Sequence, residues 1–270
     1  MRFLKFLMFS LMVLSSISLY GKETKIVMTG STTVLPIAQR IAEVYMSMYP
    51  DVVISVRGGG SGVGITALLE GRTDIATSSR KIKDEEIKTG REKGIFIKEI
   101  EIAKDGIVII VNKNNPVSNI TIDELKKIYT GEITNWNKLG GPNQPIVVIS
   151  RDLSSGTFEV FKEIVLKNAK MSENCLMLAS NNAVSSTVST TPWAIGYVGL
   201  GYITEDVKPL TLNNVIPSEK TVRDGTYKLS RSLYFYLNGE PKGEIKKFIE
   251  FTLSETGQKL VKESGFIPLK

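Results

Sequence analysis

The chain has 270 residues, 42% hydrophobic and 23% charged, a length near that at which one core splits into two domains. It has no histidine, which excludes a Ser-His-Asp triad and most zinc or haem ligation, and its only cysteine, Cys175, cannot form an internal disulfide. The net charge of +6 does not point to nucleic acid. Lysines alternate with acids, as in Lys83-Asp84-Glu85-Glu86, and no basic stripe carries aromatic residues.

Residues 1–21 begin with basic Arg2 and Lys5, continue with an apolar run from Phe6 to Leu14, and end in small residues such as Ser15, Ser16 and Ser18. This is the pattern of a secretory signal, because the run is shorter than the ~20 apolar residues of a membrane span. Cleavage is expected near Gly21, where no cysteine is available for lipidation. The mature protein is therefore expected to be soluble, unanchored and held in a periplasm.

From Lys25 to Thr29 the sequence reads as a strand, and Leu35, Ile37, Ile41, Val44, Tyr45 and Met48 then recur at helical spacing. Val52–Val56 is a second strand, followed by a helix through Ile65, Leu68 and Leu69 that stops at Gly71. Asp74–Thr77 is a third, and Asp84, Glu85 and Glu86 suit the first turn of a helix. Ile97–Ile102 alternates apolar and charged residues, whereas Gly106–Val111 is continuously apolar, as in a strand buried on both faces. Thr121-Ile122-Asp123-Glu124 matches a capping box and opens a helix that ends at Gly131. Ile146–Ser150 reads as a strand leading to a helix through Phe158, Val160, Phe161 and Val165. Ile195–Val198 and Leu233–Leu237 are further strands, and the chain closes with helical segments from Glu244 to Glu263. Trp136 and Trp193 read as core residues. The repeated βα order predicts an α/β protein with largely parallel sheets.

Three strand ends run into clusters of Gly, Ser and Thr: Gly30-Ser31-Thr32-Thr33, Gly58-Gly59-Gly60-Ser61-Gly62, and Arg151-Asp152-Leu153-Ser154-Ser155-Gly156-Thr157. Each precedes a helix start, where free N–H groups and hydroxyls form an anion site, and ligands of such sheets bind beyond the carboxyl ends of strands. Ser and Thr also serve as plain helix caps, and Gly58–Gly60 as a plain turn. Arg151 is the most specific element: its fixed fork of donors matches a tetrahedral oxyanion, with a salt bridge to Asp152 as the alternative. Asp74 and Arg80, flanking Ser78 and Ser79, are secondary candidates that could also pair with each other, and Ser154 is a third. The Ser78–Lys81 and Lys88–Gly90 matches to penicillin-recognition motifs lie almost adjacent with no S-D-N between them and read as chance. No P-loop follows the Gly clusters.

Taken together, Gly30–Pro36, Gly58–Gly64, Asp74–Arg80, Tyr129–Trp136, Arg151–Thr157 and Ile195–Val198 resemble, in order and over nearly the whole mature chain, the periplasmic phosphate-binding protein of the ABC phosphate transporter. The resemblance implies a type II periplasmic binding protein fold, two α/β lobes joined by a two-strand hinge with the ligand in the cleft. The first crossing is expected near Lys104–Asn112 and the return after Tyr197, with residues 22–106 and 205–270 forming one lobe and 107–204 the other. It also implies that Ser31, Thr32, Thr33, Ser61 and Ser79 face Arg151, Ser155, Gly156 and Thr157 around inorganic phosphate. Inner-membrane ABC permease subunits are the implied partner, with a monomeric binding protein and no cofactor, metal or nucleic acid. Some family members carry aspartate where Ser79 stands, as acceptor for the phosphate proton, which leaves rejection of sulfate open and Asp74 or a carbonyl as a substitute acceptor. The alternatives are another tetrahedral oxyanion, such as sulfate or molybdate, and a phosphate-ester hydrolase with Ser155 as nucleophile.

Overall fold

The computed structural model describes residues 23–269; the expected signal segment, 1–21, lies outside them. In chain order the elements are β1 (Thr24–Gly30), α1 (Leu35–Met48), β2 (Val52–Arg57), α2 (Ser61–Leu69), β3 (Ile75–Ser78), α3 (Asp84–Glu92) and β4 (Ile97–Asn112). They continue with β5 (Asn119–Ile120), α4 (Ile122–Thr130), β6 (Val147–Arg151), α5 (Gly156–Phe161), β7 (Leu176–Leu178), α6 (Asn181–Thr190) and β8 (Ala194–Gly199). The chain ends with β9 (Val207–Pro209), β10 (Thr211–Leu212), α7 (Glu219–Arg223), β11 (Ser230–Asn238), α8 (Gly243–Leu253) and α9 (Glu255–Glu263). One sheet runs β2-β1-β3-β11-β4-β8-β6-β7, with β9 added to β4. β1 pairs parallel with β2 and β3, and β6 parallel with β7 and β8, while β11 and β4 run antiparallel to their neighbours.

The sixteen-residue β4 gives the molecule its two lobes. Its first part pairs with β11 as far as Gly106, and its second, Ile107–Val111, pairs with β8. The alternating and continuous apolar patterns expected from the sequence are thus two stretches of one strand, and from Asp105 onward into the second lobe every residue of it is buried. Each lobe has its own core. Met28, Ile37, Ile41, Tyr45, Phe235 and Phe248 pack in the first, and Ile109, Tyr129, Trp136, Phe161, Tyr197 and Tyr227 in the second. The Trp136 indole N–H donates to the Trp193 carbonyl at 2.9 Å.

The return crossing lies later than expected. Residues 207–229, assigned from sequence to the first lobe, pack on the second: β9 pairs with Ile110–Asn112, and Leu210, Leu212, Val222, Tyr227 and Leu229 join its core. The chain crosses back where Ile107 N–H donates to Leu229 O at 2.8 Å and Ser230 pairs with Gly106. The segments concerned are two- and three-residue strands and a five-residue helix, too short for a periodic apolar signal.

Candidate ligand-binding cleft between the lobes

All three Gly/Ser/Thr clusters lie where the two lobes meet. β1 ends at Gly30, and the Ser31 hydroxyl then accepts the Thr33 and Val34 N–H groups at 3.1 and 3.3 Å, capping the turn into α1. Thr32 and Thr33 stay free to face the other lobe. The second loop is tied to the first by Gly60 N–H, which donates to Gly30 O at 2.9 Å, and it delivers Ser61 to the first position of α2. Ser79, just past β3, donates its N–H to the Ser61 hydroxyl at 3.0 Å, and the two hydroxyls are 3.3 Å apart.

From the second lobe, β6 ends at Arg151 and a turn leads into α5, whose cap is the Ser155 hydroxyl accepting Phe158 N–H at 3.3 Å. The first N–H groups of α5 have no partner within the helix. Gly156 is required here because of proximity: a Cβ would stand 2.4 Å from the Ser61 oxygen and 2.9 Å from that of Ser79. The Thr33 and Thr157 hydroxyl oxygens meet across the cleft at 3.0 Å. Ser31, Thr32, Thr33, Ser61, Ser79, Arg151, Ser155, Gly156 and Thr157 are all buried.

The Arg151 guanidinium donates to Leu178 O (3.0 Å), Ala179 O (3.0 Å) and the Thr32 hydroxyl (3.1 Å). Its Nη1 has no hydrogen-bond partner among the described residues. The alternative pairing with Asp152 is not made, since that carboxylate accepts the Ser154 N–H at 2.9 Å. Burial lowers the Arg151 pKa and the nearby Arg231 charge lowers it further, while Asp152 acts in the opposite direction. The residue remains charged, as arginine does throughout the accessible pH range.

Residues 21–256 match the family model described as a PBP superfamily domain. The phosphate-binding protein PstS of Borreliella burgdorferi is 33% identical over 253 residues, covering 89% of this chain and 88% of the relative. That of Bacillus subtilis is 36% identical over 246 residues, covering 89% and 79%. The chain belongs to the PstS phosphate-binding protein family. Among solved structures, a substrate-binding protein with bound phosphate from Clostridium perfringens matches this PstS-family chain with a TM-score of 0.86 and 38% identity, covering 92% of this chain and all of the other (100%). An ABC-type phosphate transport receptor from Vibrio cholerae matches with a TM-score of 0.74 and 33% identity, covering 90% and 99%.

The secondary candidates have other places in this PstS-family chain. Asp74 precedes β3, at the end opposite Ser79, where its carboxylate accepts Val27 N–H at 2.8 Å, so it is not the substitute proton acceptor. Nor does it pair with Arg80. Arg80 binds Glu86 through both Nη atoms (2.8 and 2.7 Å) and Glu159 of the second lobe through Nε (2.8 Å), and Lys83 reaches Glu159 at 2.6 Å. Ser154 joins the lobes through backbone contacts: its carbonyl accepts Gly62 N–H at 3.0 Å and its hydroxyl lies 2.9 Å from Gly59 O.

Three cleft residues escape the sequence reading. Arg231, at the start of β11, donates to Asp105 Oδ2 through Nε (3.0 Å) and Nη2 (2.7 Å), to Thr157 Oγ1 (2.9 Å) and Ser79 O (3.3 Å) through Nη1, and to Thr33 Oγ1 (3.3 Å) through Nη2. Asn181, opening α6, donates to the Thr32 and Thr33 hydroxyls at 3.2 and 3.0 Å. Of the three, only Asp105 carries a signal that could have found it, being a charge beside the apolar stretch of β4 and so in need of a partner, though nothing near it in sequence says which.

Proposed function

We propose that this protein binds inorganic phosphate between its lobes and delivers it to the membrane permease of an ABC transporter. Arg151 carries the reading: a guanidinium 1% exposed, with no carboxylate partner among the described residues and hydroxyls from both lobes around it. A buried charge without a counter-charge costs several kcal/mol. A tetrahedral oxyanion supplies that charge and fits the guanidinium fork. The phosphate bound to the Clostridium perfringens relative, and the phosphate transport named for the Vibrio cholerae relative, favour phosphate among such anions.

In this reading Ser31, Thr32, Thr33, Ser61, Ser79, Arg151, Ser155, Gly156 and Thr157 surround the anion, and the lobes, residues 23–106 with 230–269 and residues 107–229, close on it about the two crossing strands. The protein is exported by its amino-terminal signal, acts unanchored in the periplasm as a monomer, binds no nucleic acid and catalyses nothing. The Ser155 hydroxyl accepts a backbone N–H, and among the described residues no general base is hydrogen-bonded to it. One observation keeps a second oxyanion in view: Ser79 presents a hydroxyl, able to donate or accept, beside that of Ser61.

Calorimetric titration with phosphate, sulfate and molybdate tests the assignment. One phosphate per chain, with weaker sulfate and molybdate, is expected. Equal affinity for sulfate would change the ligand, and no binding of phosphate would end the reading. Turnover of a chromogenic phosphate ester should be absent.

A further inference from the structure

We infer that Asn181 and Arg231 are positioning residues that hold the threonine hydroxyls of the cleft as hydrogen-bond donors, so that the cleft presents hydrogens and takes an anion by its unprotonated oxygens. The inference rests on the oxyanion reading above and concerns how that site is polarised.

A hydroxyl oxygen accepts two hydrogen bonds and donates one, whereas guanidinium and amide N–H groups can only donate. The Asn181 side chain is fully buried, and Gly199 N–H donates to its Oδ1 at 3.2 Å, which fixes the amide with its NH2 toward the threonines. Thr32 Oγ1 receives Asn181 Nδ2 (3.2 Å) and Arg151 Nη2 (3.1 Å), which fills both acceptor positions. Thr33 Oγ1 receives the other Asn181 hydrogen (3.0 Å) and Arg231 Nη2 (3.3 Å). In the contact between Thr33 and Thr157, 3.0 Å apart, Thr33 must therefore be the donor. Thr157 Oγ1 then holds that hydrogen and Arg231 Nη1 (2.9 Å), and is filled in turn.

Two hydroxyl hydrogens, those of Thr32 and Thr157, are left without a protein acceptor among the described residues, as is Arg151 Nη1. All three belong to residues at most 7% exposed. Asp105 keeps this arrangement in place by gripping Arg231 from behind, while Leu200 N–H donates to its other oxygen at 2.9 Å.

Asn181→Asp replaces the amide donor by an acceptor of the same shape. The Thr32 and Thr33 hydrogens should then turn toward residue 181, and phosphate and sulfate should each bind about tenfold to a hundredfold more weakly, with the midpoint of thermal unfolding close to that of the wild type. Asn181→Ala, which leaves the hydroxyls free to rotate, should lose less. A double-mutant cycle with Thr32→Val separates this effect from plain repulsion of the anion by the new carboxylate. Loss through the hydroxyl makes Asn181→Asp cost several-fold less in the Thr32→Val background; an equal cost in both backgrounds, or wild-type affinity in Asn181→Asp, overturns the inference. If Asn181→Asp does not fold, Thr157 provides the test. Thr157→Ser should stay within about threefold of wild type and Thr157→Val fall about tenfold or more, and undiminished binding by Thr157→Val overturns the donor assignment. A wild-type protein that binds neither anion instead removes the oxyanion reading on which the inference stands.

Discussion

Arg80 and Arg151 are both buried arginines that join the lobes, and their surroundings are opposite. Arg80 is held by two carboxylates, Glu86 from its own lobe and Glu159 from the other, whereas Arg151 has carbonyls and a hydroxyl and an Nη1 with no partner among the described residues. A guanidinium saturated by carboxylates has finished its work within the protein. One that is desolvated without a counter-charge is stable only at a cost, which an incoming anion relieves. In the proposed function the Arg80–Glu86–Glu159 cluster, taken as the rim of the cleft, bears on how readily the lobes close, and Arg151 on what they close around.

The largest expected effect is on the cleft side. Arg151→Ala should weaken phosphate by about 2–5 kcal/mol, roughly thirtyfold to several thousandfold, without lowering the unfolding temperature of the ligand-free protein. Near-native affinity in calorimetry would remove the contrast between the two arginines. Gly156→Ala comes next. Its Cβ would press on the Ser61 and Ser79 oxygens, and such overpacking costs about 1–3 kcal/mol in the closed form alone. Small-angle scattering at saturating phosphate should show a more open molecule than the wild type, and an unchanged profile would contradict the tight approach of α5.

On the rim, Glu159→Gln should reduce phosphate and sulfate affinity by one common factor, about twofold to tenfold, because it shifts the closing equilibrium and leaves ligand contacts intact. A change in the phosphate-to-sulfate ratio would mean that the rim reads the ligand after all. The smallest effect is on acid stability. Burial pushes the Glu86 pKa up, but hydrogen bonds from Arg80 and the Lys83 N–H, with the charges of both residues, outweigh it and hold the carboxyl below its ordinary value of 4.5. A carboxyl depressed in the folded state contributes stability above its unfolded pKa, and the contribution is lost as pH falls through the folded value. Unfolding temperatures measured downward from about pH 5 should fall less steeply in Glu86→Gln than in the wild type. Parallel curves would show that this ion pair adds nothing measurable.

The local grammar of the chain was legible because it depends on neighbours in sequence. Strand ends, the Thr121 capping box, the Gly stops and the Gly/Ser/Thr helix starts all follow from spacing, and the structure has them where the patterns lie. The type II fold followed from the order of those patterns once their resemblance to the family was seen. Arg231 and Asp105 were harder, since their contact spans 126 positions and exists only because β11 is inserted between β3 and β4. Asn181 gave no sign beyond its place at a helix start after Ser180, a common capping pattern. The assignment of residues 207–229 failed because edge strands of two and three residues carry no period to read.

By itself, then, the sequence determined that oxyanion-loving loops sit at strand ends, that a fixed cation lies in one of them, and that no histidine chemistry accompanies them. Only the tertiary structure decided which charges were neutralised. Arg80 and Arg151 look alike in sequence, each next to serines and near acids, yet a carboxylate partner for one comes from the opposite lobe and for the other no carboxylate comes at all among the described residues. The physical reason is range. Caps and turns are settled within a few residues by backbone geometry, whereas the counter-charge of a buried group depends on which strands the sheet brings side by side.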